Sequence, residues 1–269
     1  MKYQNDIDKM NTNRNLFLMS LPIFVELLLQ LLVGNVDQMM VSRVSQPSVA
    51  AIVNANQIMN LVIIVLSMAS TAVTVILSQY LGAQDEKNAS RTCMVSLVLI
   101  GGVSLAATIL VFAGHTPLYR AIHVPEEVFD EASLYLLIVG AFILVQGLYL
   151  TFSAMIRAFA MVKEVMIISV IMNVMNIVGN AILINGWFGM PQLGAVGAAI
   201  STDISKLVGL ALMIGMFFKS RRVKMGMSYL RPFPVQILKN LCLLAIPTGV
   251  ESFSYNLSQM IILGIVNSF

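Results

Sequence analysis

The sequence predicts an all-α polytopic membrane protein: a six-helix lobe followed by the first helix of a second, parallel-repeat lobe. Three observations carry this prediction. Of the 269 residues 58% are apolar and 11% charged, with a mean hydropathy of +0.86. Soluble domains carry about 25% charge, so these charges are too few to cover a water-facing surface. Seven apolar stretches reach the roughly 20 residues that a transmembrane helix needs. The basic residues between those stretches alternate strongly from one side to the other. Together these features exclude a soluble enzyme, a nucleic-acid binder and a disordered chain. Cys93 and Cys242 offer no disulfide framework.

The first span, roughly residues 16–42, is too long for a signal peptide, and no small-residue cleavage site follows it. It carries Glu26, Gln30 and Asp37 at i, i+4 and i+11, within about 40° of one another on a helix. The second, 50–78, carries Asn56, Asn60, Ser67, Thr71, Thr74 and Ser78 in a stripe of helical period. The third, 92–114, and the fourth, 132–156, are nearly free of charge. The fifth, 164–185, places Asn173, Asn176 and Asn180 on one face, and the sixth, 194–218, opens with Gly194, Gly197, Ala198 and Ala199. Those small residues allow close backbone approach. Ser201, Thr202, Asp203, Ser205 and Lys206 follow them, and the seventh span, 241–267, bears Glu251, Ser254, Tyr255 and Ser258.

Orientation follows from the lysines and arginines. Thirteen of the sixteen lie at the N-terminus or in the second, fourth and sixth loops, while Arg43 and Arg120 fall on the other side and Lys206 lies inside a span. The expectation is a multi-pass protein of the cytoplasmic (inner) membrane with its N-terminus in the cytoplasm. The net charge of +3 reflects this distribution and gives no reason to expect nucleic acid.

An offset of 225 lays residues 14–44 over 239–269 with eight identities, among them Pro22/Pro247 and Glu26/Glu251. Apolar sequence matches itself by chance at leucine and valine, but P-x-x-x-E inside an apolar helix is informative because intramembrane glutamate is rare. Both spans follow a basic segment, so the repeat is parallel, six helices per unit. The expected organisation is an N-terminal lobe over 1–218, a basic cytoplasmic linker over 219–240, and over 241–269 the first helix of a second lobe that the chain does not complete.

A carboxylate at the bilayer centre costs about 2.5–3.5 kcal/mol on insertion scales, so Glu26 and Asp37 must face inward. Glu26 has two readings: a cavity residue, or a partner for a helix terminus or a basic loop residue. Asp37, deeper in the membrane, fits an ion pathway. Asn56 and Asn60 are cavity candidates, whereas the serines and threonines on their stripe suit helix packing and bonds to their own backbone. Asp203 and Lys206, three residues apart, are expected to neutralise each other. Pro22 loosens the first helix or sits harmlessly near its start. The nineteen methionines suit adaptable apolar walls or ordinary packing. Motifs for a metalloprotease, a serine hydrolase or a nucleotide site are missing from the sequence, so no enzyme and no organic cofactor are expected.

Three segments, in order, resemble the multidrug and toxic compound extrusion (MATE) transporters: LPIFVELLLQLLVGNVDQMMVSRV at 21–44, QYLGAQDEKNASR at 79–91, and NVMNIVGNAILINGWFGMPQLGAVGAAISTD at 173–203. The resemblance covers essentially the whole chain. It implies twelve helices in two lobes and a cation-coupled antiporter, driven by H+ or Na+, that exports drugs or organic cations by alternating access. It further implies that the coupling cation, including any Na+, sits at Asp37, Asn176, Asn180 and Thr202. Asn180 departs from the family, where an aspartate is common. The partners so implied are the bilayer and a cationic or amphipathic small molecule, with the full-length protein a monomer. Two other readings are a flippase for a lipid-linked saccharide precursor and a non-transporting assembly subunit. The first calls for several cavity cations to meet a pyrophosphate, and the second for polar residues on one or two helices only.

Overall fold

The computed structural model describes residues 13–42, 46–121, 126–189 and 191–266. Among the described residues the chain forms α1 (Asn13–Ser42), α2 (Gln46–Gly82), α3 (Glu86–Ala121), α4 (Glu126–Ala141), α5 (Ile143–Ala158), α6 (Val162–Asn185), α7 (Gly194–Ser220) and α8 (Val235–Val266). Short 3-10 turns fall at Trp187–Gly189 and Met227–Leu230. No strand occurs among the described residues.

Helices α1, α2, α3, α6 and α7 are each long and apolar enough to cross a bilayer. The fourth span differs from a single straight helix. It is a pair, α4 and α5, bent by 44°. The break has a local cause. Thr108 of α3 donates its hydroxyl to the Gly140 carbonyl at 3.4 Å, and the Phe142 N–H turns back to Val139 O at 3.2 Å, one residue short of helical register. A side chain entering the ladder is a recognised origin of helix kinks. The bent pair makes the sixth crossing.

The seventh helix begins at Val235, ahead of the expected 241, because the Pro234 carbonyl accepts the first turn's N–H bonds from Ile237 at 3.0 Å and Leu238 at 3.2 Å. Gln236 and Lys239 face outward, while Ile237 and Leu241 are buried. The polar residues had disguised an amphipathic turn. The first turn of α3 is fixed by Asp85, whose Oδ1 accepts the Asn88 N–H at 3.0 Å and whose Oδ2 accepts Asn88 Nδ2 at 2.7 Å. These bonds favour the charged form and hold the Asp85 carboxyl below its ordinary range.

Helix α2 is the hub, packed on α3, α4, α5 and α8, while α1 lies chiefly against α6, and α6 and α7 form the most extensive pair. One apolar cluster runs through the bundle. Leu27, Leu32, Ile109, Leu110, Val174 and Val178 are exposed on its flanks, where lipid rather than water satisfies them.

Candidate functional site

Helices α6 and α7 meet through a polar contact. Gly186 ends α6 in the left-handed conformation at φ 72°, and the chain returns so that Leu193 N–H bonds Leu183 O at 3.0 Å. Gly197 then lies so close to α6 that a Cβ would stand 2.7 Å from Leu183 O and 2.8 Å from its carbonyl carbon. Below that contact Ser201 Oγ donates to Asn176 O at 3.0 Å, Asn176 Nδ2 to Thr202 Oγ1 at 3.0 Å, and Asn180 Nδ2 to Asn176 Oδ1 at 3.3 Å. Asn180, Asn176, Asn173 and Ser201 are buried. The structure thus brings Asn176, Asn180 and Thr202 into one hydrogen-bonded knot within the membrane-spanning part of the bundle.

That close approach gives a prediction. Gly197→Ala is expected to destabilise the protein by about 1–3 kcal/mol, the usual range for overpacking, because the obstacle is backbone that cannot rotate away. Gly215→Ala, on the same helix with nothing within 4 Å of a new Cβ, is expected to be neutral or mildly stabilising. Thermal unfolding midpoints in detergent compare the two, and equal effects would refute the packing argument.

Glu26 belongs to a different constellation. It is 3% exposed and pairs with Arg157 of α5, Nη2 to Oε1 at 2.7 Å. Ser169 Oγ of α6 donates to the same oxygen at 3.0 Å, and the Tyr149 hydroxyl of α5 shares a hydrogen bond with Ser169 Oγ at 3.0 Å. Of the two readings the sequence left open for Glu26, the geometry has the pairing with a basic residue. Arg157, Ser169 and Tyr149 were not among the sequence candidates; the one signal for Arg157 was its place at the end of an apolar span.

On α2 the hydroxyls turn back on their own helix. Thr71 donates to Ser67 O at 2.9 Å and Ser78 to Thr74 O at 2.7 Å, while Thr74 reaches both Ser70 O and Ala154 O of α5. Asn56 is half-buried and Asn60 exposed, and among the described residues no hydrogen bond joins either to the α6–α7 knot. Pro22 is buried within α1, and Tyr255 is exposed on α8. Asp37, Gln30 and Glu251 sit on described helices, but their side chains lie outside the described residues. Asp203 is 2% exposed, both its oxygens lack a hydrogen-bond donor among the described residues, and the charge of Lys206 acts on it across one helical turn. An open crevice of about 370 Å³ lies between the end of α2 and the start of α8, lined by Gln79, Tyr80 and Asn240 among others. None of the candidate residues lines it.

The MatE family model matches residues 22–182. The chain is 38% identical over 248 residues to the "Uncharacterized transporter YisQ" of Bacillus subtilis, covering 92% of this chain and 54% of that protein. It is 26% identical over 250 residues to the "Probable multidrug resistance protein NorM" of Thermotoga maritima, covering 90% and 52%. Among solved structures, MATE in the straight conformation superposes with a TM-score of 0.84 at 20% identity, covering 93% of this chain and 55% of that one. A MOP superfamily transporter from Pyrococcus furiosus superposes with a TM-score of 0.81 at 21% identity, covering 90% and 53%. The chain spans about half the length of the curated relatives it matches.

Proposed function

The chain belongs to the MatE family of multidrug efflux transporters, and from that premise we propose that its complete gene product is a cation-coupled antiporter that exports cationic or amphipathic small molecules by alternating access. In this reading it sits in the cytoplasmic membrane with its N-terminus inside, and residues 1–218 form the lobe that carries the coupling ion. The observation that supports it best is the knot of Asn176, Asn180 and Thr202. Carboxamides buried at membrane depth are costly unless they serve a site or bond one another, and here they do the second on the helix against which α1, the bearer of Asp37, is packed.

The same knot favours a proton over sodium. Asn176 Oδ1 and Thr202 Oγ1 each accept one amide hydrogen and keep one further lone pair, fewer open positions than the six to eight oxygens a hard cation takes. A proton needs one carboxylate poised between two costs: burial, which resists the charged form, and nearby amide donors, which favour it. Asp37 is the ionisable member of the set Asp37, Asn176, Asn180 and Thr202. It takes a proton from the outer side and releases it to the cytoplasm as the lobe changes packing.

The test is gradient-driven efflux of a cationic dye from proteoliposomes holding the complete gene product. An imposed pH gradient, acid on the side substrate leaves towards, is expected to drive efflux, with an equal sodium gradient giving little. Efflux driven by sodium alone would reverse the ion assignment, and efflux indifferent to both would remove cation coupling.

A further inference from the structure

The segment that joins α7 to α8 differs from every other basic segment in the chain. Between Lys219 and Asn240 lie Lys219, Arg221, Arg222, Lys224, Arg231 and Lys239, and no acidic residue. Elsewhere the positive charges have local company: Lys87 and Arg91 share a loop with Asp85 and Glu86, Lys163 precedes Glu164, and Arg157 is bonded to Glu26. With no acid inside the segment, the charges of Arg221, Lys224 and Arg231 call for a partner of the other sign.

The segment is also held in place. Its 3-10 turn, Met227–Leu230, packs on α3, and Val223, Met225 and Leu230 rest against the apolar core. Anchored in this way, it turns other large apolar side chains outward: Met227 is 75% exposed, Val235 64% and Phe233 44%. Arg221, Lys224 and Arg231 are exposed beside them. Apolar side chains interleaved with cations, fixed at the end of one span and the start of the next, have the composition of a surface that lies in a charged lipid interface.

We propose that this segment is a docking surface for anionic phospholipid. The arginines and lysines take the headgroup phosphodiester, and Met227, Phe233 and Val235 enter the edge of the acyl layer. A free phosphate would satisfy the charges but not the apolar side chains, which is why the lipid is the expected occupant. The proposal rests on the membrane reading above and is independent of transport.

The test uses the complete gene product in a mild neutral detergent, titrated separately with short-chain phosphatidylglycerol, short-chain phosphatidylcholine and inorganic phosphate, with the thermal unfolding midpoint as readout. Phosphatidylglycerol is expected to raise the midpoint well beyond phosphatidylcholine, and phosphate to leave it unmoved. Each basic residue near an anionic surface is worth about fivefold in affinity. The combined variant Arg221→Gln, Lys224→Gln, Arg231→Gln is therefore expected to bind phosphatidylglycerol about 100-fold more weakly. Its midpoint without lipid should match the wild type, because the three side chains are exposed. If it does not fold, Arg231→Gln alone is expected to give about a fivefold loss. Equal stabilisation by both lipids, a phosphate response equal to the lipid response, or unchanged affinity in the variants would each overturn the proposal. No efflux is measured, so a failure of the antiporter reading leaves this result intact.

Discussion

Arg157→Ala is expected to destabilise the protein by about 3 kcal/mol, the lower end of the range for stripping one partner from a buried ion pair. Glu26 is 3% exposed, and its Oε1 receives both the Arg157 guanidinium at 2.7 Å and the Ser169 hydroxyl at 3.0 Å. Its Oε2 is buried with no donor among the described residues. Removing the guanidinium leaves a carboxylate in the bundle with one neutral hydroxyl to answer it. The lower end of the range applies because Arg157 is 34% exposed, so some water reaches the gap. Glu26→Gln is expected to be milder, since the amide oxygen still accepts both bonds and the charge left over is the part-exposed one. The double variant Glu26→Leu, Arg157→Met removes both charges and is expected to recover most of the loss, because a buried pair replaced by apolar side chains of similar size is often neutral. Unfolding midpoints of the three variants form the comparison. An Arg157→Ala protein as stable as the wild type would show that the bridge contributes nothing.

That bridge also marks where sequence reasoning stopped. The polar stripe on the first span said that Glu26 faces inward, since the period of a helix reports a face. It could not say what stands across from that face, and the partner lies 131 residues away. The α6–α7 knot was more legible because both sides announced themselves: asparagines at i and i+4 on one helix, and glycine, alanine, serine and threonine at the top of the next. Helices joined by so short a connection pack together. The break between α4 and α5 was hidden for the opposite reason. Nothing at Ala141 or Phe142 is a helix breaker, and the contact that accompanies the kink, Thr108 against the Gly140 carbonyl, comes from another helix. The pairing expected of Asp203 with Lys206 was half visible, since the charge acts across the turn but neither carboxylate oxygen gains a hydrogen bond among the described residues. Six of the seven expected spans came through, with the bent α4–α5 pair taken as one, because lipid punishes exposed polar backbone so heavily that length and apolarity suffice; at the seventh the apolar stretch found among the described residues, Val235–Val250, is shorter than a crossing. Boundaries such as Val235 did not come through, because an amphipathic first turn looks like a linker until its buried side is known.

Asp37→Asn is expected to abolish proton-driven efflux while leaving insertion, folding and substrate binding in place. Asparagine matches a protonated aspartate closely in shape, so the packing of α1 against α6 survives, but the side chain can no longer gain or lose a proton. Of the set Asp37, Asn176, Asn180 and Thr202, the other three are neutral at any working pH and cannot substitute for it. The lobe is then held in the electrostatic state of the loaded carrier, and substrate binding is expected to continue without uphill export. Asn180→Asp asks the converse question. Asn180 is fully buried and donates Nδ2 to Asn176 Oδ1 at 3.3 Å. An aspartate there cannot make that donation when ionised, so it frees the Asn176 oxygen and replaces the amide nitrogen by a second oxygen. A knot with more open oxygens suits a hard cation better than the wild-type knot does, and the variant is expected to gain sodium dependence at the expense of the pH response. Efflux of a cationic dye from proteoliposomes under each gradient, with equilibrium dye binding alongside, separates the outcomes. Undiminished pH-driven efflux in Asp37→Asn would remove Asp37 from the carrier role, and Asn180→Asp efflux that ignores sodium would show that the knot does not decide the ion.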